Sequence, residues 1–430
     1  MRKSIFLFLC LLPSLLHAQV EANHFRVRTI TAGVSLSGLA DTAALLGAID
    51  FLKAAKQKFV ARGYEVQTLR VATSNLYTYL GSHSPYEALP YLERFDRIAQ
   101  RAGVILSVGQ VSSPDGYSTG MAEWAADLVR RTKTISFSLA ISSHLLGIHT
   151  HSIREAAEII RALSKVDNGE ANFRFTAAAN CPAGIPFFPA AFHEGGNSFA
   201  IGLESANLVE EAFAHVGEGE GGAGRGFAGG RQDIRPAAGS REAARRALKE
   251  LLEKNLRPVQ ELGERIETGS GWTYDGIDVS AAPGLNASIG RAIETYTHQP
   301  FGSPSTLGAC ALITDVLKGL DIKKCGYSGL MLPVIEDPVL AKRAEEGRYT
   351  IGELLLFSSV SGTGLDVVPI AGDVPQEVIE GILTDVAALS LKYTAKALSA
   401  RLFPIPGKKA GDRVSFQNPN LTETTVMEIR

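Results

Sequence analysis

The chain has 430 residues, with 43 Lys+Arg against 45 Asp+Glu, 45% hydrophobic and 20% charged residues, which excludes the disordered and fibrous classes. At roughly 150 residues per domain it is long enough for about two to three domain-sized units. A net charge of -2 removes the global basic field of a nucleic-acid binder, so no nucleic acid is expected; the small-molecule ligand expected as partner comes from the polar strand ends below.

The first eighteen residues read as a signal peptide: Arg2 and Lys3 form a basic start, Ile5 to Leu16 an apolar run, and Ala18 the small residue before cleavage. The run is too short for a comfortable membrane-spanning helix of about 20 residues. The expectation is therefore a periplasmic or secreted protein, free of the membrane after cleavage. Cys181, Cys310 and Cys325 remain in the mature chain. This odd, sparse set allows at most one disulfide, and no Cys-x-x-Cys pair is present.

From about Arg26 to Ser205, helical and strand periodicities alternate. Asp41 caps a helix that reaches Phe59 and stops at Gly63, and Tyr64 to Val71 alternates as a strand. Helices are predicted at Pro90 to Ala102 and Met121 to Arg131, with strands at Val104 to Val108 and Ile135 to Ile141. Ser152 and Glu155 have capping-box spacing, and strands follow at Phe173 to Ala179 and Phe199 to Leu203. The glycine-rich run Gly217 to Gly230 lacks apolar periodicity and reads as a mobile surface connection, tolerant of shortening because closure entropy depends only logarithmically on length.

Ser240 to Glu267 predicts an amphipathic helical subdomain, broken before Pro258. Beyond it come a strand at Gly276 to Ala281, helices at Asn286 to Tyr296 (capped by Asn286) and Ser305 to Gly319, and a strand at Leu330 to Ile335. Helices near Pro338 to Glu346 and Ile351 to Val360, a strand at Val367 to Ile370, a helix from Gln376 to about Ala400 and a short terminal hairpin complete the pattern. Strands alternating with helices give an α/β class; periodicity does not decide between an open layer and a barrel. The expected division is a signal peptide at 1–18, α/β units at 19–205 and 273–430, and the glycine-rich run with the helical subdomain at 206–272.

Polar residues recur at strand ends, where α/β folds gather their sites. Asn180 and His193 bound a loop stiffened by Pro182, Pro186 and Pro189. His193 can serve as a general acid or base, since its ordinary pKa lies near neutrality, or can simply bond a loop carbonyl. Asp278 lies within an apolar strand, where a carboxylate must be hydrogen-bonded or paired: it is either a structural acceptor or a site residue, whereas Asp275 is expected to be solvated. Ser305 or Thr306 would cap a helix whose free amides can hold a carboxylate. Of the adjacent Glu336 and Asp337 only one can face the site, and Glu336 is chosen. His149 and His151 have metal-ligand spacing, but no acidic set accompanies them, and solvated histidines are expected. Cys181 is expected to be a buried thiol rather than a nucleophile.

Taken in order, Arg28 to Thr31 with Gly33, the Asn180 to Gly196 loop with Ala191, Phe192 and His193, Asp278 to Ser280 with Pro283, Gly326 to Gly329 leading to Glu336 and Asp337, and Gly364 to Asp366 with Asp373 resemble the DUF711 family, also called UPF0210. The resemblance spans nearly the whole mature chain. It implies a fold similar to the pyruvate formate-lyase-like β/α barrel with an all-helical subdomain, lacking glycyl radical machinery. No cofactor or metal is expected. Asn180, His193, Asp278, Ser280, Thr306, Ser328, Glu336 and Asp366 fall on family motif positions. The resulting expectation is acid/base chemistry on a small polar or anionic metabolite. In it His193 transfers the proton, Asp278 or Glu336 orients it, and Asn180, Ser280, Ser305, Thr306, Ser328 and Asp366 bind substrate. The alternative is a periplasmic binding or sensing protein without catalysis.

Overall fold

The computed structural model describes residues 25–220, 238–392 and 396–429. The signal-peptide reading at 1–18 falls outside them. So does most of the glycine-rich run, of which Gly217–Glu220 continue a helix.

Five strands run parallel: β1 (Arg26–Val34), β2 (Val66–Thr73), β3 (Val104–Gln110), β4 (Ile135–Ser143) and, beyond the short β5 (Gly147–Ile148), β6 (Phe175–Ala179). Four run the other way. β7 (Ser198–Glu204) lies antiparallel to β1 and carries β8 (Thr273–Ala282) beside it, while β10 (Leu398–Ile405) lies antiparallel to β6 and carries β9 (Gly364–Ala371). The order is thus β8-β7-β1-β2-β3-β4-β6-β10-β9, with β5 paired to β4. The free edges of β8 and β9 are joined by the segment 323–334. Ile277 donates to Lys323 O and Cys325 donates to Ile277 O on β8, while Val334 donates to Asp366 O on β9. The sheet therefore closes into an α/β barrel, and the segment expected to be a strand at Leu330 to Ile335 acts as an irregular stave.

Strands that face helices outside and packed chain inside are buried on both faces, which explains their near-continuous apolar runs. On the outside, α1 (Thr42–Val60) covers β1 and β2, and Asp41 caps it by accepting from Ala44 N. α2 (Leu76–Tyr79) is a single turn after β2. α3 (Pro85–Ala102) starts five residues before the predicted one, because Ser84 and Glu87 form a capping box there, and stops at Gly103 in the left-handed conformation. α4 (Met121–Arg131) packs against α5 (Thr150–Leu163). Ser152 and Glu155 lie within α5 rather than capping it: Glu155 is buried and accepts from Ser118 N.

α6 (Ala206–Glu220), α7 (Ala238–Ser270), α8 (Ile289–Thr297) and α9 (Thr306–Lys318) pack on one another beside β8. α7 runs through Pro258 without the predicted break. α8 is capped by Ser288, not Asn286. α10 (Pro338–Glu345) and α11 (Ile351–Ser358) follow, and α12 (Gln376–Leu391) ends nine residues before the predicted helix does. The apolar residues Leu398, Ala400 and Leu402 alternate along β10, a barrel strand buried along its whole length. The terminal hairpin pairs β11 (Arg413–Val414) with β12 (Thr424–Thr425).

Candidate functional site

The barrel interior is occupied by the loop 181–193, held to the inner wall by its own backbone. Thr31 donates to Pro186 O at 2.9 Å, Ser107 to Ala191 O at 2.7 Å, and His193 N to Thr73 O at 2.9 Å. Two strand glycines make room for it. A Cβ at Gly33 would lie 2.2 Å from His193 Nδ1, and one at Gly202 would lie 2.8 Å from the Phe187 ring. Ile185, Phe187 and Ala190 of the loop pack with Ala282 and Met331 as a separate apolar cluster. The loop divides the interior into two cavities that share no lining residue, of about 430 Å³ and 450 Å³.

The first cavity is lined by Arg28, Arg70 and Arg401 facing Glu336 and Asp366, over a floor of Phe187, Phe188 and Ala190. Two of these residues are aimed inward by strand irregularities. Opposite β7, Val27 pairs with Leu203 and Thr29 with Gly202, so Arg28 is an extra residue on β1. Opposite β10, Leu365 pairs with Ala400 and Val368 with Leu402, which leaves Asp366 and Val367 bulged, and Val367 takes a φ of 47°. Positive φ is rare for a β-branched residue, and bulges of this kind re-aim side chains beside functional sites.

Arg401 Nε donates to Asp366 Oδ1 at 2.6 Å and its NH2 donates to Glu336 Oε1 at 2.8 Å, with all three side chains buried. Burial works against the Arg401 charge, but Asp366 and Glu336 more than restore it and raise its pKa. Burial also pushes the Glu336 carboxyl up, yet Arg401 and Arg28 outweigh it and leave Glu336 below the ordinary range. At Asp366 burial prevails over Arg401 and holds the carboxyl above its ordinary range. Arg28 donates to Glu336 Oε2 and to Pro283 O, with Glu204 behind it at 3.6 Å.

Arg70 differs from these. Its Nε donates to Thr68 Oγ1 at 3.2 Å and its guanidinium lies 5.1 Å from the Phe188 ring centroid, and no carboxylate among the described residues pairs with it. Burial and then repulsion from Arg28 push it down to about 9, so it stays cationic at neutral pH.

The second cavity opens at the opposite end of the barrel and holds His193, Ser198, Asp275, Glu194, Cys325 and Ser328. Ser198 Oγ donates to Asp275 Oδ2 at 2.6 Å and lies 3.4 Å from His193 Nδ1; His193 Nε2 is buried with no hydrogen-bond partner among the described residues. Burial lowers the His193 pKa and raises that of Asp275. Asp275 is half-buried rather than solvated, because it is the extra residue of a bulge on β8, between the pairs Phe199–Tyr274 and Ala200–Gly276.

His193 and Glu336 thus line different cavities, and Asp278 lines neither. Asp278 is completely buried and accepts from Tyr327 N, Ser328 N, Ser280 N and Ser280 Oγ at 2.6 to 3.1 Å, fixing the closing segment to β8. Ser280 in turn accepts from Gly329 N. Asn180, at a φ of 53°, accepts from His144 N, and Ser328 donates to Cys325 O at the edge of the second cavity. Ser305 and Thr306 begin α9 and line neither cavity; Thr306 accepts from Gly302 N, and Ser305 makes no side-chain cap. Asp337 turns away from Glu336 to accept from Ser288 Oγ, Ile289 N and Val339 N.

His149 is buried between Ala140 O and Ser143 Oγ rather than solvated, while His151 is exposed beside Asp115. All three described cysteines are free, and burial pushes the Cys181 thiol up to about 12. Among the described residues no group of three His, Cys, Asp or Glu is placed to hold a metal ion, and no helix is long and apolar enough to cross a membrane.

A family model described as uncharacterised ACR (DUF711) matches residues 18–418. The chain belongs to the DUF711 family. Within DUF711 it is 30% identical to the UPF0210 protein of Pyrobaculum aerophilum, over 84% of this chain and 78% of the relative. It is also 30% identical to that of Pyrobaculum islandicum, over 89% and 83%, and 26% identical to that of Limosilactobacillus reuteri, over 92% and 89%. These DUF711 names carry no activity.

Sequence reasoning passed over Arg28, Arg70 and Arg401 as site residues. A signal was present: each sits in a strand among apolar residues, and the cost argument that singled out Asp278 applies equally to a guanidinium.

Proposed function

We propose that the arginine-lined cavity binds a small anionic metabolite and performs acid/base chemistry on it without a redox cofactor, in a protein exported through its N-terminal segment. The observation that carries the reading is Arg70, a guanidinium facing the cavity with no carboxylate partner among the described residues. A half-buried cation without an ion-pair partner loses hydration that nothing replaces, and an anionic ligand supplies the partner. Asp366 and Glu336 share Arg401 but are pushed in opposite directions. Such divergence separates a proton carrier from a permanently ionised partner; in this reading Asp366 carries the proton and Glu336 remains charged.

A thermal-shift screen of small organic acids against amines of equal size tests the proposal, since a ligand that prefers the folded state raises apparent stability. Acids should raise the melting temperature and Arg70→Gln should abolish the shift; stabilisation by amines instead would refute it. A binding role without catalysis is favoured by the anchoring of both carboxylates to Arg401. Asp366→Asn separates the two readings, because an enzyme loses turnover while a pure binding protein has none to lose.

Export is supported by the basic and apolar pattern of residues 1–18, which precede nearly all of the family match. N-terminal sequencing of protein recovered outside the cytoplasm should begin near Gln19, and recovery of the protein in the cytoplasm alone would overturn export.

A further inference from the structure

We infer that the ligand is a monocarboxylate with an apolar body, its carboxylate on Arg70 and its body against Phe188, Phe187 and Met331. The inference rests on the anionic-ligand reading above and narrows it by charge, shape and surface.

Charge limits the ligand to one unit. Inside the cavity Arg28 is paired with Glu336 and Glu204, and Arg401 with Glu336 and Asp366. Of the three guanidiniums only Arg70 has no ion-pair partner among the described residues, which leaves one free positive charge to meet a ligand. A dianion would bring a second charge with no free guanidinium opposite it, which is unfavourable.

Shape favours a carboxylate. Arg70 spends Nε on Thr68 and stacks near Phe188, so its terminal nitrogens form a planar fork of the kind that meets a carboxylate through two parallel hydrogen bonds. Tetrahedral phosphate also accepts from such a fork but carries more charge near neutral pH. Beside hydroxyls such as Ser136, Thr176 and Ser399, the remaining surface has a large apolar part: Phe187 and Met331 belong to one cluster with Ala282, and Phe173 lies 5.2 Å from the Arg401 guanidinium. Walls of this type bind a hydrocarbon or aromatic body, with a few polar groups fixing its orientation.

The test is isothermal titration calorimetry near neutral pH with benzoate, hexanoate, acetate, succinate and inorganic phosphate, and with benzylamine as a cation of matched body. Benzoate or hexanoate should bind at least about tenfold more tightly than acetate, succinate or phosphate, a difference of about 1.4 kcal/mol. Arg70→Gln should weaken that binding by roughly 10- to 100-fold, and Arg70→Lys by less, with both variants checked for an unchanged melting profile without ligand. Phosphate or succinate binding as well as benzoate and hexanoate would overturn the monocarboxylate class, and acetate binding as well would overturn the apolar body, each while leaving the anion reading intact. Binding of benzylamine alone, or of no anion in the series, would overturn both.

Discussion

At one end of the barrel Arg28, Arg70 and Arg401 face Glu336 and Asp366; at the other, His193, Ser198 and Asp275 meet with no guanidinium among them. The cavities are nearly equal in volume and separated by the same loop, yet they hold charge differently. The first pairs two of its three guanidiniums with carboxylates and leaves Arg70 without an ion-pair partner among the described residues, the condition for electrostatic capture of an anion. The second confines a histidine and a carboxyl that burial pushes toward their neutral forms, with a hydroxyl between them. It offers proton exchange, with one ammonium, Lys324, and one further carboxyl, Glu194, on its lining instead of a cluster of guanidiniums. Volume alone would not have told them apart.

The largest expected effect is at Arg401. Arg401→Met leaves Glu336 and Asp366 buried without their shared cation, and should lower the unfolding free energy in urea by roughly 3–5 kcal/mol. Arg70→Met, in the same cavity, should cost far less in the ligand-free protein. Equal losses would break the distinction between a compensated and an uncompensated guanidinium.

Next is Asp278, whose carboxylate ties the closing segment to β8 and so supports the walls of both cavities. Asp278→Ala removes several charge-assisted hydrogen bonds at about 1.5–3 kcal/mol each, and a loss of about 3 kcal/mol or more is expected in the same assay. A negligible loss would mean that the segment is held by backbone pairing alone.

Smaller still are the glycines under the loop. Gly33→Ala meets His193 and Gly202→Ala meets Phe187, and overpacking of this kind costs about 1–3 kcal/mol. Gly202→Ala should also weaken anion binding by calorimetry, whereas Gly33→Ala should not. The reverse pattern would show that the two cavities are not independent.

The smallest effect is on pH dependence. Because burial lowers the His193 pKa, the unfolded chain takes up that proton more readily, and stability should fall as pH drops from about 6.5, the ordinary histidine value, toward the lowered folded value. Asp275, raised by burial, acts in the opposite sense: its contribution is present in acid and lost as pH rises through its folded value. His193→Gln should remove the first component from melting temperatures measured across this range while leaving anion binding at the other cavity unchanged. An unaltered profile would refute the assignment.

Much of the scaffold was legible because it follows local rules: Asp41 capping α1, Gly103 ending α3, and the strands flanking them. β10 was misread because Gln376 to Ala400 is apolar enough to extend a helix, and only pairing with β6 and β9, distant in sequence, makes its end a strand. That error concealed Arg401. Arg28 and Asp275 were hidden for another reason: each is aimed inward by a bulge, a mismatch between two strands that neither strand's sequence displays; Asp366, bulged as well, was named only through the family resemblance. Asp278 was legible as a costly carboxylate and Glu336 as the member of an adjacent pair that faces the site, but not the cavity or contacts each would serve, since these depend on how the barrel closes.

The loop pressed into the barrel has a kinetic consequence. Phe187, Phe188 and Ala190 make the arginine-lined cavity a dead end, so a ligand must leave through the mouth by which it entered, and a second molecule cannot follow until the first has gone. Traffic is then governed at the threshold. There the backbone amides of Gln417 and Asn418, in the C-terminal tail, are tethered to Glu170, and residence time should respond to substitutions in that tether even where affinity at Arg70 does not.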